Sequence, residues 1–209
     1  MRLARLLQLV ASLLVRLMQL ALLAIAYVGY EQENVGIIVN AVGAFAITFL
    51  PAILRRDHRF TMHVYLTFWL TGAVLLHTAG MLGPYSDFVW YDNLTHATSA
   101  SVVAAVGYAA ARSLDVHSET LQLTPWFTFL YLLLFVMAAG VVWELFEYGV
   151  TILAAKLGQP APLVQSGLDD TVSDLVYDTV GALVVALSGS LYLTDAMGER
   201  PPTPEPRTR

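Results

Sequence analysis

Residues 126–148 read WFTFLYLLLFVMAAGVVWELFEY, and this stretch decides the fold. The run from Trp126 to Trp143 carries no charge and, as part of a helix, is long enough to cross the core of a bilayer. Glu144 and Glu147 follow, three residues apart and therefore on one helix face. An ionisable side chain at membrane depth costs about 2.5–3.5 kcal/mol, so it normally faces a partner or an aqueous cavity. We therefore predict a membrane helix whose two acids meet polar residues from other segments.

The composition also points to a multi-pass membrane protein. The chain has 209 residues, of which 57% are hydrophobic and 13% charged, whereas a soluble domain carries about 25% charged residues. Cysteine is absent, which excludes disulfides and thiolate metal ligands. The net charge of −5 does not favour a nucleic-acid partner. An acidic chain whose only lysine is Lys156 is typical of a halophilic host, and we predict a prokaryotic cell membrane as its location.

Apolar length and boundary residues predict an all-α bundle of about six transmembrane helices. These helices lie within residues 6–30, 35–54, 62–82, 92–111, 124–153 and 171–193. The fifth begins at Thr124-Pro125, which are residue types favoured at the N-cap and the first helical position. Residues 1–197 are thus predicted to form one transmembrane domain. The polar, proline-rich tail at 198–209 is expected to be disordered.

The distribution of loop charges predicts the orientation. With six spans, the arginines of both termini and of the loops after the second and fourth spans fall on one side, and Lys156 alone falls on the other. The positive-inside rule therefore places both termini in the cytoplasm. A cleavable signal peptide is the alternative interpretation of the N-terminal run. Its length and the interruption at Arg16 argue against cleavage.

This topology brings the polar residues of four helices into one layer near the outer surface. The third and fifth helices run outward and the fourth and sixth run inward, so the late part of one pair meets the early part of the other. The candidate site residues in this layer are His77, Asp92, His96, Glu144, Glu147, Asp170 and Asp174. Asp178 continues the last helix one turn deeper, where a neutral structural role is an alternative.

The chemistry of this layer predicts a divalent metal ion bound by those seven residues. Clustered carboxylates cannot all stay ionised at low dielectric unless a cation neutralises them. Carboxylates with imidazoles suit zinc, manganese or iron better than calcium or magnesium. Two alternatives stay open: protonated carboxylates in structural hydrogen bonds, and an ion or proton path. No motif as specific as HExxH is present, so the prediction depends on convergence of the helices.

Three functions follow from this site. The first is a metal-dependent hydrolase or transferase acting on a lipid or lipid-linked substrate, with metal-activated water as nucleophile and Glu144 or Glu147 as general base. The second is a transporter that binds an ion or proton, which requires polar residues in the inner half of the bundle, where Arg16 and Thr71 are the main candidates. The third is a non-catalytic structural membrane protein. The sequence identifies the lipid bilayer as a partner and indicates no particular protein partner.

Four motifs carry a resemblance to a known family. They are HTAG at 77–80 followed by Tyr85, YDNLTH at 91–96, WELFEY at 143–148, and DTVSD at 170–174 followed by Gly181-Ala182. The chain resembles the YjdF-like integral membrane proteins of bacteria and archaea, whose function is unknown, and it is less similar to VanZ-like membrane proteins. It departs from the YjdF-like pattern after Gln165, where Ser166-Gly167 replaces Gly-Asp. The resemblance implies that the polar set lies in family motifs, and it supplies no reaction.

Overall fold

The computed structural model describes residues 2–54, 64–118, 122–158, 161, 163 and 166–188 of the chain. These residues form helices and no strands, which confirms the all-α fold class. In chain order the helices are α1 (Arg2–Glu31), α2 (Val35–Ile47), α3 (Leu50–Leu54), α4 (Val64–Gly80), α5 (Pro84–Asp87), α6 (Val89–His117), α7 (Pro125–Leu157) and α8 (Leu168–Ser188). The predicted tail at 198–209, the loop arginines at 55, 56 and 59, and the predicted end of the last span at 193 lie outside the described residues.

Local sequence explains where several helices begin and end. Thr124 caps α7 by accepting the backbone N–H of Phe127 at 3.2 Å, and Pro125 is the first helical residue, as predicted. The predicted second span is interrupted between α2 and α3. Proline at position i clashes with the carbonyl of residue i−4, and Pro51 therefore ends α2 at Ile47.

Three of the helices differ from the predicted spans, at four boundaries in all. Helix α6 begins three residues before the predicted start at 92 and continues past the predicted end at 111. Its extension contains Arg112 and Asp115, which form an ion pair at 2.8 Å between adjacent turns. Helix α7 continues to Leu157 rather than ending near 153, and α8 begins at Leu168 rather than at 171. Charged residues at helix ends thus extend the helices instead of closing them.

The apolar helices support a membrane location. Among the described residues, four helical segments are long and apolar enough to cross a membrane by length and composition: Arg5–Glu31, Val35–Leu54, Pro125–Leu157 and Leu168–Ser188. Val64–Gly80 is apolar but shorter, and α6 has the length but a polar first half. Leu13, Leu134 and Leu145 are each more than half exposed, as expected of lipid-facing side chains. Six spans and cytoplasmic termini stay predictions.

The helices pack into two groups that meet through α4. Helices α1, α2 and α4 contact one another, while α6, α7 and α8 form the second group, in which α6 and α8 pack most extensively. Small residues permit this approach, since Ala100, Ala104 and Ala182 share one buried cluster. A Cβ on Gly181 would overlap the backbone oxygen of Ala97, so glycine is required where α8 crosses α6. Small residues on both helices therefore let α6 and α8 pack closely.

Candidate metal centre

The centre of the polar cluster is His96, one turn after Asp92 on α6. Its Nε2 lies 3.8 Å from Oδ1 of Asp92 and 3.6 Å from Oδ1 of Asp174, which comes from α8. One ligand atom from each residue can be chosen such that all three lie within 4.8 Å of one another. The spacing of four residues on α6 places Asp92 and His96 on one face, and the close crossing of α8 brings Asp174 to the same point.

Asp178 fixes the orientation of the His96 ring. Its Oδ1 lies 3.3 Å from Nδ1 of His96, and an ionised Asp178 accepts a hydrogen bond from Nδ1. A neutral His96 then has a bare Nε2 facing Asp92 and Asp174. A carboxylate that holds the far nitrogen of a ligating histidine is a recurrent arrangement around metal ions.

The carboxylates of Asp92 and Asp174 need a cation or a proton between them. The two carboxyl groups are close enough to share a hydrogen bond when one of them carries a proton. Asp174 is 2% exposed, and within the described part of the chain no donor reaches its buried Oδ1. Two acceptors and a bare imidazole nitrogen repel one another in a medium of low dielectric. The cluster can therefore bind a metal ion, or it can bind a proton on His96 or on one of the carboxyl groups.

Glu144 and Glu147 lie on the inward face of α7 and are buried. Thr171 of α8 donates to Oε2 of Glu144 at 2.7 Å, whereas no described residue hydrogen-bonds to the buried Oε1. Glu147 interacts electrostatically with Glu144, His96 and Asp92. The two glutamates thus face the cluster around His96 but do not belong to the close group of three ligands.

Tyr85, in the short connecting helix α5, links His77 to the start of α6. Its hydroxyl lies 2.8 Å from Nδ1 of His77 and 3.3 Å from Oγ1 of Thr95. Burial raises the pKa of Tyr85 above its ordinary range, so the hydroxyl keeps its hydrogen. His77 itself lies in the last turn of α4, beside the ring of Trp143.

Of the seven predicted site residues, the structure brings Asp92, His96 and Asp174 into one close group. Glu144, Glu147 and His77 surround this group without joining it. Asp170 interacts electrostatically with Asp92 and Asp174, but its Oδ2 accepts the backbone N–H of Ser166 at 3.0 Å.

Sequence reasoning missed the roles of four residues near the cluster: Tyr85, Thr95, Thr171 and Asp178. Tyr85, Thr95 and Thr171 lie inside or beside the motifs quoted above, which was the signal available for them. Asp178 follows Asp174 at a spacing of four, so its position on the same face was visible, although its contact with His96 was not.

Two of the surface grooves are lined by residues outside this cluster. One is lined by residues of α4, α6 and α8, including Trp69, Thr98 and Val184, and the other is an apolar groove along α7 that includes Phe127 and Leu130. Neither groove is lined by a residue of the cluster. The predicted action on a lipid substrate therefore draws no support from them.

Long apolar helices with lipid-facing side chains, packed around a polar cluster, define this chain as a helical membrane protein. It belongs to the family described as "Predicted membrane protein (DUF2238)", whose sequence model matches residues 13–195. This is broadly the family that the YjdF-like motifs indicated, while the likeness to VanZ-like proteins stays a resemblance. No curated protein and no solved structure matches the chain.

Proposed function

We propose that this membrane protein binds one divalent transition-metal ion through Asp92, His96 and Asp174. The observation that carries the proposal is the grouping of one imidazole nitrogen and two carboxylate oxygens within 4.8 Å. A nitrogen ligand favours zinc, manganese or iron over calcium and magnesium. We further expect the site to face the outer side of a prokaryotic cell membrane, as the loop charges predict.

The distances support a shared ion better than direct hydrogen bonds. Zinc takes nitrogen and oxygen ligands at about 2.0–2.1 Å, so tetrahedral ligand atoms lie about 3.3–3.4 Å apart. Nε2 of His96 lies 3.6 and 3.8 Å from the Asp174 and Asp92 oxygens, beyond the usual hydrogen-bond range of about 2.7–3.2 Å. The bare Oδ1 of Asp174 fits the same interpretation, because an ion would supply the partner that this buried atom lacks.

Glu144 and Glu147 suit the site to a catalytic function, as a hydrolase or transferase acting on a membrane-associated substrate. A bound metal ion would supply Lewis acidity there. Glu144 has an oxygen, Oε1, that is buried and accepts from no described residue, while Thr171 holds the other oxygen in place. A carboxylate fixed in this way can accept a proton, which is the role of a general base. Glu147 lies one turn further on the same face.

The transport alternative finds little support in the two residues that it requires. Arg16 lies on the exposed side of α1, and the hydroxyl of Thr71 donates to the carbonyl of Thr67 in its own helix at 2.8 Å. Arg112 and Asp115 form an ion pair with each other near the end of α6 that is remote from the site. None of these groups presents a binding position that continues the cluster inward.

Metal content and affinity test the proposal directly. Detergent-purified protein is analysed for bound metal, then stripped with a chelator and titrated with zinc and with manganese. Asp174→Asn is expected to weaken binding by more than the roughly 10–100-fold loss typical of an outer-shell change. Asp169→Asn is the matched control, because Asp169 is an exposed acid on the same helix and its loss is expected to leave binding unchanged.

Two results would overturn the metal site. One is a wild-type protein that neither retains nor takes up a metal ion. The other is a His96 ring protonated on both nitrogens at neutral pH in the presence of zinc, which would make the cluster a structural ion pair between an imidazolium and its carboxylates.

A further inference from the structure

A chain of hydrogen bonds runs from His77 on α4 to the first turns of α6. The Tyr85 hydroxyl lies between Nδ1 of His77, at 2.8 Å, and Oγ1 of Thr95, at 3.3 Å. Thr95 in turn donates to the backbone carbonyl of Asp92 at 2.8 Å, with Oδ1 of the same residue at 3.5 Å. Each hydroxyl has one hydrogen to donate, so the ends of the chain determine its direction.

At one end of the chain of hydrogen bonds, the backbone carbonyl of Asp92 can only accept, and this determines the position of every other hydrogen. Thr95 uses its hydrogen on the Asp92 carbonyl, so its oxygen can only accept from Tyr85. Tyr85 keeps its hydrogen because it is buried, and it donates that hydrogen to Thr95. The Tyr85 oxygen must then accept from His77, which places a hydrogen on Nδ1.

The opposite direction leaves more groups unsatisfied. If Tyr85 donated to Nδ1 of His77, the bond to Thr95 would be lost and the imidazole hydrogen would move to Nε2. That nitrogen is buried and has no hydrogen-bond partner among the described residues. A buried nitrogen without a partner costs about 1–3 kcal/mol in either tautomer, so the bond that is lost between Tyr85 and Thr95 decides between the two directions. Hydrogen on both nitrogens would in addition bury a positive charge.

We propose that His77 is held as the Nδ1–H tautomer and presents its Nε2 lone pair as a second imidazole acceptor beside the candidate metal centre. The lone pair would accept a hydrogen bond from an O–H or N–H group of a molecule bound at the candidate metal centre. His77 is close enough to His96 to interact with it electrostatically. Tyr85 and Thr95 are positioning residues. The use of the lone pair rests on the proposed function, whereas the tautomer does not.

Nitrogen-15 NMR of histidine-labelled protein in detergent, stripped of metal, reports the tautomer directly. The chain has five histidines, and the His77 signals are assigned by their loss in His77→Gln. The wild type is expected to show hydrogen on Nδ1 and a bare Nε2. Thr95→Val keeps the side-chain shape but removes the acceptor of Tyr85. The hydroxyl then donates to His77, and the imidazole hydrogen moves toward Nε2.

Two variants serve as controls. Thr95→Ser retains the hydroxyl and is expected to retain the wild-type tautomer. Tyr91→Phe removes a neighbouring hydroxyl that donates to the carbonyl of Leu76 at 2.8 Å, outside the chain of bonds, so His77 is expected to stay unchanged. The wild-type spectrum alone decides the tautomer if Thr95→Val does not fold.

Hydrogen on Nε2 of His77 in the wild type would overturn the inference, as would identical His77 signals in Thr95→Val and Thr95→Ser. The separate metal titration distinguishes this failure from that of the proposed function. A protein with the expected tautomer and no metal binding refutes the metal centre alone. A protein that binds metal but carries hydrogen on Nε2 of His77 refutes the inference alone.

Discussion

Replacing Gly140 with alanine tests whether the close approach of α7 to α8 holds the Asp178 carboxylate against His96. A Cβ at this position would overlap Oδ2 of Asp178 and would lie 3.0 Å from Cδ2 of Leu175. Overpacking of this kind costs about 1–3 kcal/mol. Alanine also favours a helix over glycine by up to about 1 kcal/mol, so the net loss of stability is expected to reach about 2 kcal/mol.

Gly149→Ala is the matched control on the same helix, because a Cβ there meets nothing within 4 Å. The helix-propensity gain is common to both variants, and their difference in stability therefore isolates the packing cost of about 1–3 kcal/mol. Since Asp178 orients the His96 ring, Gly140→Ala is also expected to weaken metal binding by about 10–100-fold. Gly149→Ala is expected to bind metal as the wild type does.

Thermal unfolding in one detergent and zinc titration of the same samples measure both effects. Equal stability and equal affinity of the two alanine variants would refute the packing and the orienting role of Asp178 together. A less stable Gly140→Ala protein with wild-type affinity would refute only the orienting role.

Three further predictions use the same protein. Asp178→Asn removes the charge that holds Nδ1 of His96, so zinc affinity is expected to fall by about 10–100-fold, and unchanged affinity in titration would contradict this role. In Gly181→Ala the added Cβ would overlap the backbone of α6 and push α8 away, which is expected to lower the free energy of unfolding by about 1–3 kcal/mol. Gly43→Ala has open space around its Cβ and is expected to show no such loss. Equal melting temperatures of the two variants would refute the close packing of α8 on α6 at Gly181. In this cysteine-free chain, Lys156→Cys is expected to react with an impermeant label from outside intact cells and Gln122→Cys is not, and the reverse pattern would invert the topology.

The sequence was sufficient to predict the helical membrane bundle and a cluster of carboxylates with a histidine. The four-residue spacing of Asp92 and His96 fixes a shared face, and the predicted topology puts Asp174 at the same depth. It could not predict which pairs touch, because this depends on how each helix is rotated about its axis. Helix α7 is apolar on nearly all sides, so its pattern left the direction of Glu144 and Glu147 open.

The contact of Asp178 with His96 depends on features that periodicity does not encode. Helix α8 approaches the backbone of α6 at Gly181, and the side chains of Leu175 and Asp178 pack against Gly140 of α7; only the packed structure defines these contacts. The hydrogen-bond chain through Tyr85 was equally out of reach, because Tyr85 lies in a short connecting helix whose direction no repeating pattern determines.

X-ray absorption spectroscopy of the zinc-loaded protein tests the proposed metal site most directly, with His96→Ala and His117→Ala compared at equal loading conditions. His96 lies two turns after the start of α6, whereas His117 is its last residue. We predict one zinc ion per chain with imidazole nitrogen and carboxylate oxygen ligands, lost in His96→Ala and retained in His117→Ala. A wild-type protein without stoichiometric zinc, or a His96→Ala protein that binds zinc with the same ligand shell, would contradict it.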